Sequence, residues 1–101
     1  MIRHVVAWNF RKGFSDEDNK NHAQMAKELF DQLACEKLQG VGEMDFRIDL
    51  LPASTRDVTL NSLFTNHEAL IAYKTHPIHY KLVDIMADYF QDRICVDFIE
   101  A

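Results

Sequence analysis

Glycine and proline are scarce, with three of the one and two of the other in 101 residues. That leaves no material for low-complexity linkers or long loops, so most residues must sit in regular elements or short turns. Cysteine is equally sparse. Cys35 and Cys95 lack metal-ligand spacing, and no charged-then-apolar leader precedes the alternation that begins at Ile2. Both read as reduced, buried, small side chains of a cytoplasmic protein. No apolar run reaches the length of about eighteen residues that a membrane helix requires. Cations are the minority, 11 Lys and Arg against 16 Asp and Glu, for a net charge of −5. This excludes general nucleic-acid binding, which depends on clustered cations displacing phosphate counterions. Glycine-rich phosphate loops, paired catalytic carboxylates and nucleophile elbows are also absent.

What is present suits one domain spanning residues 1–101, at 48% hydrophobic and 11% aromatic content. Ile2 to Phe10 reads as a central strand, apolar on both sides, with Ile2, His4, Val6, Trp8 and Phe10 on one face. Ser15 with Asp16, Glu17 and Asp18 signals a helix start, a hydroxyl cap followed by acids at the positive end of the dipole. His22, Ala26, Leu29 and Leu33, flanked by Met25 and Phe30, predict a buried stripe on a helix ending near Gly40. Val41-Gly42 reads as a turn. Strict alternation over Glu43 to Leu51 and a second run, Asp57 to Phe64, predict two further strands.

Thr65 or Asn66 caps a short helix holding Ala69, Leu70 and Tyr73. His76-Pro77 interrupts it, because the residue before proline avoids helical geometry while proline itself starts a helix well. The next helix, Ile78 to about Phe90, carries His79, Val83, Met86 and Phe90 on one stripe, and Asp92 to Glu100 is the last strand. The order β-α-β-β-α-β, with right-handed crossovers, predicts an α+β, ferredoxin-like protomer: four antiparallel strands with helices on one face. The other face, to which Val5, Ala7, Leu63, Cys95 and Ile99 are assigned, would be an apolar liability unless covered. A second copy laid sheet to sheet covers it, so a homodimer is expected. Arg93 and Asp97 share a side of the last strand, a placement suited to pairing across such a dimer.

Chemistry concentrates in Tyr73-Lys74-Thr75-His76-Pro77-Ile78-His79-Tyr80, two imidazoles and two phenols in one short stretch. His79 reads as a general base in an apolar setting, and Tyr73 as the donor that steadies a developing oxyanion. The same two residues also read as core, His79 bonded to a backbone group and Tyr73 simply packed. His76 suits a helix cap or a pocket wall. His4 and His22 fall on stripes facing the sheet–helix interior, where both could meet His79 in one cavity. Trp8 and Phe90, with Phe46 and Phe64, are core residues first and substrate walls second. His76 and His79 have a spacing that could share a metal, but no third ligand is evident, so neither metal nor cofactor is expected.

Ile2-Arg3-His4-Val5-Val6-Ala7-Trp8-Asn9-Phe10, the block Tyr73-Lys74-Thr75-His76-Pro77-Ile78-His79, and Asp92-Arg93-Ile94-Cys95-Val96-Asp97-Phe98 together resemble the stress-responsive dimeric α/β-barrel (Dabb) family. The likeness runs from Met1 to Ala101 and is most specific in the Y-x-x-H-P-x-H block. It implies a homodimer in which two sheets form a barrel-like core, with a small apolar cavity between sheet and helices and a stress-related or unassigned role. Members include plant stress-associated proteins, bacterial proteins without assigned function and a plant polyketide cyclase. In the cyclase branch the block's tyrosine and last histidine are the working pair, matching Tyr73 and His79, and a first-strand histidine matching His4 lines the same pocket. A further histidine on the cyclase's third strand is Val58 here, so that partner is missing. The resemblance thus implies first a Dabb protein of unassigned role, with cofactor-free proton transfer on a small aromatic or polyketide-like molecule, His79 as base and Tyr73 as donor, as the alternative. The other readings are a binding or purely structural dimer and a cofactor-independent monooxygenase of the same architecture, which a pocket with His and Trp8 would suit and the His-Pro-x-His block disfavours.

Overall fold

The computed structural model describes residues 1–101 as a four-stranded sheet with three helices packed on one face. In chain order these are β1 (Ile2–Phe10), α1 (Asp16–Cys35), β2 (Val41–Arg47), β3 (Val58–Phe64), α2 (His67–Lys74), α3 (Pro77–Tyr89) and β4 (Phe90–Ile99). The strands lie in the order β2-β3-β1-β4, every neighbouring pair antiparallel, which is the ferredoxin-like topology. Between sheet and helices lies a core in which Phe46, Phe64, Phe90, Leu33 and Leu60 are fully buried. Each helix begins at a side chain that accepts an otherwise orphaned N–H: Ser15 Oγ from Asp18, Asn66 Oδ1 from Ala69, and His76 Nδ1 from Ile78.

Several boundaries differ from the sequence expectation, each for a local reason. α1 stops at Cys35 rather than near Gly40, because Lys37 enters the left-handed region at φ 49°. Gly40, at φ 82°, instead lets α2 approach closely: a Cβ there would lie 2.6 Å from Ala69 Cβ. Val41-Gly42 is not a turn but the start of β2, where a register shift between Val41 and Glu43 absorbs the extra residue. β2 ends at Arg47 because its ladder with β3 runs out at Arg47↔Thr59. The buried stripe of α1 is Ala23, Ala26, Phe30 and Leu33, rotated one residue from His22 and Leu29. On α3 it is Ile78, Leu82 and Met86, while Val83 is exposed.

The last strand begins at Phe90, two residues early, and is bulged. Asn9 pairs Gln91 but Ala7 pairs Ile94, so Asp92 and Arg93 together oppose Trp8, and Asp92 takes φ 55°. Beyond the bulge, Cys95 pairs Val6, Asp97 pairs His4 and Ile99 pairs Ile2, all on the helix side of the sheet. Cys95 and Ile99 therefore do not belong to the open face. Ile94, Val96 and Phe98 take their place beside Ala7, Val5 and Arg3. Neither cysteine is a buried small residue, since both are exposed, free thiols. Arg3 closes one end of the open face, bonding Glu43 of β2, Asn61 of β3 and Glu100 after β4.

Candidate functional site

The bend at Pro77 decides the site. Tyr73 lies in the last turn of α2 and His79 in the first turn of α3, and the break folds the two rings together with centroids 4.7 Å apart and planes at 67°. His4, from the middle of β1, approaches the same tyrosine edge-on at 6.5 Å. The three rings line one cavity of about 460 Å³ between sheet and helices, together with Trp8 and Phe90. Its inner wall is apolar, from Val6, Phe30, Leu60 and Met86. Its rim is polar, from Lys74, Gln91, Asp92 and Arg93.

The polar atoms in this cavity are underused. Tyr73 is only 2% exposed, and burial, slightly opposed by the charge of Arg93, pushes its phenol well above the ordinary range. It therefore stays protonated throughout neutral pH, and nothing hydrogen-bonds to it. His79 Nδ1 is buried without a partner. Burial holds that imidazole below its ordinary 6.5, partly offset by the Lys74 backbone and reinforced by the charges of Lys74, His4 and Arg93. A neutral base thus sits against a protonated donor. The arrangement can take a proton from a bound molecule and stabilise the oxyanion that results.

His4 differs from both. Its Nδ1 is hydrogen-bonded to Asp97, and its backbone carbonyl accepts from the buried Ser62 hydroxyl at 3.0 Å. Burial alone would raise the Asp97 carboxyl, but the bond to His4 overrides it and the group lies below its ordinary range. Asp97 is thus engaged within its own protomer, and Arg93 lines the cavity.

Two residues assigned to the site from sequence lie elsewhere. His22 does not face the cavity, because Ala23 occupies the buried stripe. Its ring stacks on Tyr89 at 3.9 Å and meets Phe14 edge-on at 4.7 Å. His76 is occupied in capping α3, its Nδ1 accepting from the Ile78 N–H. The rim residues Asp92 and Arg93 were not identified from sequence, because a β-bulge leaves no trace in hydrophobic alternation. Val58, in register with the cyclase's third-strand histidine, is fully buried in the core.

Residues 2–100 match the family described as Stress responsive A/B Barrel Domain, Dabb. No functionally curated protein shows significant sequence similarity. A dimeric ferredoxin-like protein of unknown function from Bacteroides fragilis is 25% identical, with TM-score 0.87, over 98% of this chain and 95% of its own. A second dimeric ferredoxin-like protein of unknown function, from Thermobifida fusca, is 23% identical with TM-score 0.79, over 98% and 90%. The hydroxynitrile lyase of Passiflora edulis shares the fold at 13% identity and TM-score 0.76, over 99% and 93%.

Proposed function

The chain belongs to the stress-responsive A/B barrel (Dabb) domain family, and from that premise we propose a homodimer, joined through its open sheet face, whose cavity takes a small apolar or aromatic molecule and moves a proton on it. His79 is the base and Tyr73 the donor. His4, Trp8 and Phe90 shape the wall, and the step draws on no group beyond these side chains. One observation carries the reading: a phenol and an imidazole meet at the wall of one cavity, and His79 Nδ1 is buried there without a hydrogen-bond partner. Buried polar groups in a merely structural core are almost always paired. Groups left free at a cavity wall are those a ligand would satisfy. A hydroxynitrile lyase on the same fold supports an enzyme on this scaffold. With Val58 in place of the third histidine, the proposal is proton transfer as a class rather than the cyclase's own reaction.

The test follows deuterium incorporation from D2O into the methyl group of acetophenone, a carbon acid of suitable size. The wild type should accelerate exchange, and His79→Gln or Tyr73→Phe should lose roughly a hundredfold of that acceleration, the usual share of one positioned acid–base group. Exchange no faster than with heat-denatured protein, or undiminished in His79→Gln, would overturn the reading.

A further inference from the structure

Just outside the cavity wall, His4 Nδ1, Cys95 Sγ and an Asp97 carboxylate oxygen lie within 4.8 Å of one another. The geometry points to a binding site for a divalent transition ion of the zinc class. Strand register creates it: Cys95 and Asp97 alternate onto the same face of β4, Asp97 directly opposite His4 and Cys95 opposite Val6. The sulfur is 3.8 Å from the imidazole nitrogen and 3.7 Å from the carboxylate oxygen. Tetrahedral bonds of about 2.0–2.3 Å place neighbouring donors roughly 3.3–3.8 Å apart, so two edges of the coordination polyhedron already exist. The third edge is the His4–Asp97 hydrogen bond. An ion would displace the shared proton and move the carboxylate outward, which Asp97 can do because it is exposed on an edge strand.

Nitrogen, thiolate and carboxylate donors together select zinc, cobalt or nickel over magnesium and calcium, which take oxygen alone. His4 is the fixed member, 3% exposed and held edge-on by Phe64 and Tyr73. Cys95 and Asp97 carry the negative charge that offsets the ion, opposed by Lys74, the cation whose field reaches Asp97. Three protein donors leave a fourth position open to water or a small ligand. The site lies on the helix side of the sheet, so a dimer through the opposite face leaves it accessible.

Cobalt(II) titration of the reduced, chelator-stripped full chain tests this. The expected result is saturation at one ion per chain, with sulfur-to-cobalt charge-transfer absorption and the visible bands of a tetrahedral centre. Cys95→Ser should abolish the charge-transfer band while leaving the circular dichroism unchanged, because Cys95 is exposed. Cys35→Ser should keep the band, and Asp97→Asn should weaken zinc competition by about tenfold or more. Absence of a charge-transfer band in folded, reduced wild type, or a band that survives Cys95→Ser, would overturn the assignment.

Discussion

An imidazole held below its ordinary pKa by burial ties folding to pH, and His79 is such a group. Unfolded, it takes up a proton near 6.5; folded, it resists protonation to a lower pH. As pH falls through that interval the unfolded chain binds the extra proton, so stability drops below 6.5 and levels off once the folded form also protonates. Asp97 acts separately: its contribution is present above 3.8 and is lost only as pH falls through its lower folded value. Urea unfolding at about pH 7.5 and about pH 5.5 should therefore show an acid loss in the wild type that is smaller in His79→Gln. Equal losses in the two proteins would remove burial of His79 as the cause. The site residues were legible unevenly for a related reason. Tyr73 and His79 stand out because their block is local in sequence. Whether His22 joins them depends on a one-residue rotation of α1, and two neighbouring stripes of similar apolarity leave that undecided.

At the level of elements, Gly40 shows what a turn glycine does for its neighbours. Its left-handed backbone, φ 82°, and the 2.6 Å gap to Ala69 leave no room for a methyl group, so Gly40→Ala strains the turn and pushes on α2 at once. The expected cost is on the order of 1–3 kcal/mol, read as a lower urea midpoint with an unchanged slope. Gly13→Ala is the control. Its φ of 101° is also unfavourable, but nothing lies within 4 Å of the added carbon, so it should cost less. If the two variants are equally stable, the close approach of α2 is not what constrains Gly40. Helix starts were readable because the caps are chemical: Ser15, Asn66 and the His76-Pro77 pair each satisfy or dispense with a backbone donor. Strand limits were not, because a partner strand sets them. β2 stops where β3 runs out, and the bulge at Asp92–Arg93 answers to the fit against Trp8. That single bulge also decided the facing of the last strand and hid the His4–Cys95–Asp97 cluster.

For the whole molecule the governing fact is a sheet covered by helices on one face only, whose open face carries an apolar band along β1 and β4. Ile94, Val96 and Phe98 are 46%, 53% and 47% exposed, and they continue a surface that includes Val5 and Ala7. Side chains of this size in one contiguous band are what a specific interface buries. The related proteins from Bacteroides fragilis and Thermobifida fusca are dimeric. The Arg3 cluster with Glu43, Asn61 and Glu100 closes one end of the band with polar groups already paired to one another, as suits an interface rim. A two-fold interface places each substitution in contact twice, so Val96→Asp would bury two unpaired carboxylates. Even about 3 kcal/mol between them weakens dimerisation roughly a hundredfold. Sedimentation velocity should then show a dimer for the wild type and a concentration-dependent monomer for Val96→Asp. Val83→Asp, a matched charge on an equally exposed helix position away from the open face, should remain dimeric. Should the wild type sediment as a monomer, or Val83→Asp dissociate as readily as Val96→Asp, the open sheet face is not where two copies meet.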